Sequence, residues 1–143
     1  MPKRVLITGG EGGVGRACRE LFEAAGWEVL APGWALLDVS CGVSVSAFFT
    51  TAGEIDLLLC NAGVTDDSLL AKMSEAQWDR ALEVNLKGAF RCARAVSKNM
   101  LRRHAGHVVF VSSYSAFHPP AGQANYAAAK AGLVGLAKSL ASE

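Results

Sequence analysis

Val5-Leu6-Ile7-Thr8-Gly9-Gly10-Glu11-Gly12-Gly13-Val14-Gly15 is the stretch that decides the fold. Val5–Thr8 is apolar or β-branched throughout and predicts a buried strand. From about Val14 to Ala25 the apolar residues recur at helical spacing, and Gly26 supplies a stop. Between strand and helix lies a run of glycines. Without Cβ atoms, a loop can take positive φ, approach a pyrophosphate closely, and let the helix pack tightly on the strand. The first N–H groups of the helix would then face the anion. Gly9, Gly13, Val14 and Gly15 are the candidate contacts. The run fits more than one register of G-x-G-x-x-G, so the strand-loop-helix context carries the reading.

Outward from this unit, strands and helices alternate. Glu28-Val29-Leu30 predicts a second strand, ended by Pro32-Gly33. A helix is expected from about Val43 to Thr51, then a strand over Asp56–Cys60 with almost no polar alternation. Such apolar runs suit a parallel sheet covered on both faces. Ser74-Glu75-Ala76-Gln77 has the capping-box pattern, and helical spacing continues to about Arg103. His107–Ser112 predicts another strand, and Asn125–Glu143 a small-residue helix. The pattern is that of an α/β domain with a doubly wound parallel sheet, Rossmann-like, spanning residues 1–143 as one unit.

Two features break the regular scheme. Only six residues, Ala31–Leu36, separate the second strand from Leu37-Asp38-Val39. A parallel crossover needs roughly ten or more, so no helix fits there and an outer edge strand is vestigial or missing. The sequence also stops within an ongoing helical pattern at Ser139–Glu143. The domain is therefore expected to lack its C-terminal strands, leaving Val108–Val111 as an apolar sheet edge.

Composition narrows the function. The net charge of +1 and the lack of any basic run beyond Arg102-Arg103 do not suggest a nucleic-acid partner. No segment approaches the ~18 apolar residues of a membrane span, and Val5–Thr8 is too short for the core of a secretory leader. The four cysteines, Cys18, Cys41, Cys60 and Cys92, are widely spaced, without zinc-ligand or disulfide patterning. A cytoplasmic protein without a metal site is expected.

The chemistry-bearing residues lie in the second half. Tyr126 and Lys130 are one helical turn apart and emerge on one face. A phenol is a poor acid or base at neutral pH, and a neighbouring ammonium favours its phenolate. Ser113 follows the His107–Ser112 strand at the carboxyl edge, where ligands of open α/β sheets bind. Its hydroxyl could hold a substrate carbonyl, but Ser112 serves equally well on these grounds. Asn85 is a poor helix former inside an otherwise good helix. The second strand ends in Ala31-Pro32-Gly33 without the acid expected to take the cofactor's ribose hydroxyls. Asp38 is the nearest following carboxylate, so NAD and NADP both remain open.

Taken together, Thr8-Gly9-x-x-x-Gly13-x-Gly15, Asn61-Ala62-Gly63, Asn85, Ser113, Tyr126 and Lys130 resemble the short-chain dehydrogenases/reductases over essentially the whole chain. That resemblance selects Ser113 over Ser112. It implies Tyr126 as general acid, Lys130 as the residue that favours its phenolate and holds the nicotinamide ribose, and Ser113 as the group positioning the carbonyl. Asn85 would hold a water in a proton relay, while Asn61, Ala62 and Gly63 would brace the sheet centre and contact the adenosine half.

Asn61–Met73 and Gly122–Gly132 are more narrowly similar to β-ketoacyl-acyl carrier protein reductases. This implies a carbonyl reductase acting on a 3-oxoacyl thioester, with coenzyme use leaning to NADP, and a homo-oligomer for a full-length form. An acidic acyl carrier protein could dock near Arg102-Arg103-His104, although a solvated helix end explains those residues as well. Gly12 departs from the pattern, since NADPH-using relatives often carry a basic residue there. The alternatives are a non-catalytic nucleotide-binding fragment and a short-chain alcohol dehydrogenase with another substrate.

Overall fold

The computed structural model describes residues 2–143; Met1, included in the expected domain, lies outside the described residues. Four strands, β1 (Arg4–Ile7), β2 (Glu28–Leu30), β3 (Leu57–Cys60) and β4 (His107–Phe110), form one sheet in the order β2-β1-β3-β4. Every pairing is parallel, with Leu6 opposite both Leu30 and Leu58, and Leu58 opposite Val108. The helices are α1 (Gly13–Ala24), α2 (Gly42–Thr51), α3 (Glu75–Leu82), α4 (Ala89–Arg103) and α5 (Ala124–Leu140).

Strand alternation divides the core between the two sheet faces. Leu6, Leu58 and Cys60 pack with Val45 of α2, Cys92, Ala93 and Val96 of α4, and Leu133 of α5. On the opposite face, Val5, Ile7 and Leu59 pack against Cys18 and Phe22 of α1 and against Trp27. β1 is therefore buried along most of its length, as its apolar run predicts. β4 differs: Val109 is 44% exposed, because α1 reaches only the β1/β2 side of that face. The expected apolar sheet edge at 108–111 is present.

The segment after β2 contains turns and no helix before α2, as its length requires. Gly26, with φ of 79°, terminates α1. At α3 the capping box forms in both directions: the Gln77 N–H donates to Ser74 Oγ (3.2 Å), and the Ser74 N–H donates to Gln77 Oε1 (3.0 Å). The expected single helix from residue 74 to 103 is interrupted. Over Glu83–Gly88 it widens into a π-helical turn joining α3 to α4. Asn85 and Gly88 explain the location. Asn85 is bound sideways to Val64, and a side chain at Gly88 would strike Val39. Such widened turns recur at functional sites.

Candidate active site

Because the strands are parallel, the segments after β1, β2, β3 and β4 gather at one edge of the sheet. Every candidate residue except Asn85 lies on these segments or on the helices they lead into. Asn85 reaches the same edge from the π turn.

The glycine loop is shaped by backbone contact. Gly9 has φ of 65°, and a Cβ there would come 2.9 Å from Ala62 Cα. A Cβ on Gly15 would run into the Gly9 carbonyl and the Gly10 Cα. Gly13 has open space around it, and the first turn of α1 has no side-chain cap. Its leading N–H groups are thus available to an anion. Val14, 58% exposed, flanks the same opening. The close-packed glycines, the open one and the uncapped helix fit a dinucleotide pyrophosphate.

Thr8, 2% exposed, fastens this loop to the end of β3. Its Oγ1 accepts from the backbone N–H groups of Asn61 (3.0 Å) and Ala62 (3.1 Å). Asn61 Nδ2 in return donates to the carbonyls of Thr8 and Gly9, both at 3.1 Å. Thr8 carries more of the site than the sequence reading assigned to it. A hydroxyl ending an apolar strand was the available sign.

Asp38 lines an open cavity of about 450 Å³ together with Gly9, Trp34, Ala62, Gly63 and Val84. Its Oδ1 accepts from both the N–H and the hydroxyl of Ser40, at 2.9 and 2.6 Å. One carboxylate oxygen therefore shapes the turn into α2.

The catalytic candidates meet where α5 crosses the end of β4. Lys130 is only 3% exposed, and its Nζ donates to the Val111 carbonyl at 2.8 Å. It lies 5.6 Å from the centre of the Tyr126 ring. Burial pushes the lysine below its ordinary value, while nearby Cys60 acts weakly in the opposite direction. The adjoining serines are distinguished by their bonds. Ser112 Oγ donates to the Lys130 carbonyl (2.9 Å), tying β4 to α5. Ser113 Oγ accepts from the Ser115 N–H (3.1 Å), which leaves its own hydrogen to be donated.

A second polar network holds the start of α5. Asn125, fully buried, donates through Nδ2 to the carbonyls of Asp66 (2.9 Å) and Gln77 (3.0 Å). Its Oδ1 accepts from the Tyr126 N–H at 2.8 Å. Gln123 donates to Asp67 and accepts from Ser115. The helical pattern places Asn125 only at a helix start, whereas it is a cross-link one residue from Tyr126.

Asn85 is 1% exposed and has both side-chain N–H groups engaged, by Val64 O and Ala81 O, each at 2.8 Å. Its Oδ1 accepts from the Val64 N–H at 3.2 Å. Gly63 is needed beside it, since a Cβ there would come 2.6 Å from Asn85 Oδ1 and 3.5 Å from Lys130 Nζ. The Asn85 side chain braces the β3 loop. A water held here would need other donors or a backbone carbonyl of the widened turn.

Arg103 lies away from the site. It donates to Asp56 Oδ1 (3.0 Å) and to the Ile55 carbonyl (2.8 Å), just before β3 and at the opposite edge of the sheet. Of the Arg102-Arg103-His104 run weighed for carrier docking, Arg103 is engaged within the chain. Among the described residues, no group of three or more His, Cys, Asp and Glu could hold a metal ion, and no helix is long and apolar enough to cross a membrane.

Residues 34–143 match the family profile described as short chain dehydrogenase. The chain belongs to the short-chain dehydrogenase family. It is 35% identical to the 3-oxoacyl-[acyl-carrier-protein] reductase FabG of Salmonella typhimurium, over 99% of this chain and 67% of that protein. The Escherichia coli FabG is 34% identical over the same shares. MabA of Mycobacterium tuberculosis, also a 3-oxoacyl-[acyl-carrier-protein] reductase, is 36% identical, with 63% of its length covered. The chain thus spans about two thirds of these relatives. The FabG alignments extend over 163 positions against 143 residues here, so those relatives carry internal residues that this chain lacks. As a short-chain dehydrogenase, the protein is an oxidoreductase that uses NAD(P).

Proposed function

We propose that the protein reduces the 3-oxo group of an acyl thioester to a hydroxyl, within a single nucleotide-binding unit. The observation that carries this reading is the placement of Tyr126, Lys130 and the free hydroxyl hydrogen of Ser113 at the sheet edge that also holds the glycine cradle. The nicotinamide coenzyme, when bound, supplies the hydride to the carbonyl carbon and leaves oxidised. Ser113 holds the carbonyl oxygen by donating its hydrogen. Tyr126 delivers a proton to the same oxygen, so that the C=O π bond is replaced by one C–H and one O–H bond. Lys130, fixed through Val111, offers its remaining N–H groups towards the phenol and the ribose. Gly9, Gly13, Val14, Gly15, Asn61, Ala62, Gly63 and Asp38 line the coenzyme's path.

The relatives named as acyl-carrier-protein reductases support a carrier-bound thioester as the substrate. The four free cysteines suit a reducing cytoplasmic setting. The test is coenzyme oxidation by the 143-residue chain with acetoacetyl-CoA. Turnover is expected, and Tyr126→Phe should lower it by roughly 10²–10⁴-fold while coenzyme still binds. Equal turnover by the variant would remove Tyr126 from this role.

A further inference from the structure

We infer that Glu11, on the glycine loop, is the residue that selects the coenzyme, accepting the adenosine ribose hydroxyls of NADH and opposing the 2′-phosphate of NADPH. This inference rests on the coenzyme-binding part of the proposed function and concerns its specificity.

In dinucleotide-binding sheets the ribose is met by an acid at the end of the second strand. Here that position is vacant of charge: β2 ends at Leu30, and Ala31–Leu37 holds neither an acid nor a base. The structure supplies a carboxylate to the same place from another segment. β2 lies parallel beside β1, with Leu30 opposite Leu6, so its end adjoins the glycine loop. The two are in direct contact, since a Cβ on Gly10 would come 2.6 Å from Ala31 Cβ and 2.8 Å from the Ala31 carbonyl.

One residue further along the loop, Glu11 crosses to Gly33. All three atoms of its carboxyl group occupy the place where a side chain at residue 33 would begin. Gly33 is thus the seat of the Glu11 carboxylate, directly after β2. A carboxylate can accept from two adjacent ribose hydroxyls, and a phosphate dianion at the same point meets a like charge.

The charges around it favour the same reading. Glu11 takes part in none of the ion pairs among the described residues. Asp38, the first carboxylate after β2, lines the adjoining cavity. Arg16, near the start of α1, donates from its guanidinium to the Glu11 backbone carbonyl at 3.0 Å. Gly12 contributes no charge.

The test is a pair of binding titrations of the 143-residue chain with NADH and NADPH, followed by nicotinamide fluorescence or calorimetry and needing no substrate. Wild type should bind NADH at least about tenfold more tightly, with the gap narrowing as salt is added. Glu11→Ser and Glu11→Gln should bring the two dissociation constants to within about threefold by strengthening NADPH binding, a gain that unfolding cannot produce. Gly33→Ala keeps the charge but displaces it, and should reduce the preference partway.

The inference is overturned if wild type binds NADPH as tightly as NADH or binds neither. It is also overturned if both Glu11 variants keep the wild-type ratio or bind neither coenzyme, or if Arg16→Ala alone shifts it. Selective NADH binding without turnover of any 3-oxoacyl thioester would instead overturn the proposed reaction and leave the coenzyme assignment standing.

Discussion

The nucleotide cradle and the catalytic corner share one edge of the sheet but are built in different ways. Around Gly9, Gly10 and Gly15 the determining fact is the absence of side chains, with backbone packed on backbone at distances that exclude a Cβ. Around Tyr126 and Lys130 it is the presence of buried polar side chains. Asn125, Ser112 and Lys130 each reach carbonyl groups on other segments. The cradle's glycines are close together in sequence, but Thr8 ties them to Asn61 and Ala62, 53 and 54 positions away. The corner likewise joins residues 48 and 59 positions apart, so both regions are completed only once the chain has folded.

The strongest challenge to this contrast falls on the corner. Asn125→Ala would leave the Asp66 and Gln77 carbonyls and the Tyr126 N–H without their partner in a site closed to water. A loss of about 3 kcal/mol of stability is expected, since each unpaired buried group costs roughly 1–3 kcal/mol. Turnover should fall much further than coenzyme affinity. Denaturant unfolding and coenzyme titration would check this, and equal losses in both would mean that the two regions are not separately held.

The cradle can be divided within itself. Gly15→Ala forces a methyl into immovable backbone and should destabilise the protein by roughly 1–3 kcal/mol. Gly13→Ala meets open space and should leave the unfolding midpoint nearly unchanged, while weakening coenzyme binding if the proposed phosphate site is correct. If Gly13→Ala unfolds the protein as readily as Gly15→Ala, backbone approach is not what shapes the loop.

The smallest expected effect concerns pH and Lys130. Its folded-state value is lowered by burial from the ordinary 10.5. Between those two values the unfolded chain holds a proton that the folded chain has released, so this group's contribution to stability rises with pH. Below the folded value, both states are protonated and the burial penalty is felt in full. The buried thiols of Cys60 and Cys92 act in the opposite sense, since burial raises both, Cys92 to about 12. The measurement is therefore the difference between wild type and Lys130→Met. That difference should move in favour of wild type as pH rises towards 10.5. A pH-independent difference would show that the ammonium is not desolvated.

The elements themselves were readable because their periods are local. The glycine run, the apolar strands, the Gly26 stop and the Ser74/Gln77 box each depend on a few adjacent residues, and all four took the form their pattern predicts. Helical spacing predicts one helix over 74–103, but the widened turn answers to Val64 and Val39, which that spacing cannot register. Ser112 and Ser113 were inseparable by residue chemistry for the same reason, since the bond that distinguishes them is to Lys130. Arg103 looked like surface charge, but Asp56 and the Ile55 carbonyl engage it from the start of β3.

The order of strands and helices, the parallel sheet, and the types of residue available at its carboxyl edge all follow from local sequence pattern. Hydrophobic period and glycine placement act over one or two turns of chain, and they are written in adjacent letters. Which serine keeps a free hydrogen, how Asn85 and Asn125 fasten distant segments, and where the Glu11 carboxylate comes to rest are set by long-range packing. Those outcomes depend on which groups meet after burial, when an unpaired polar atom becomes costly and each partner is fixed by geometry.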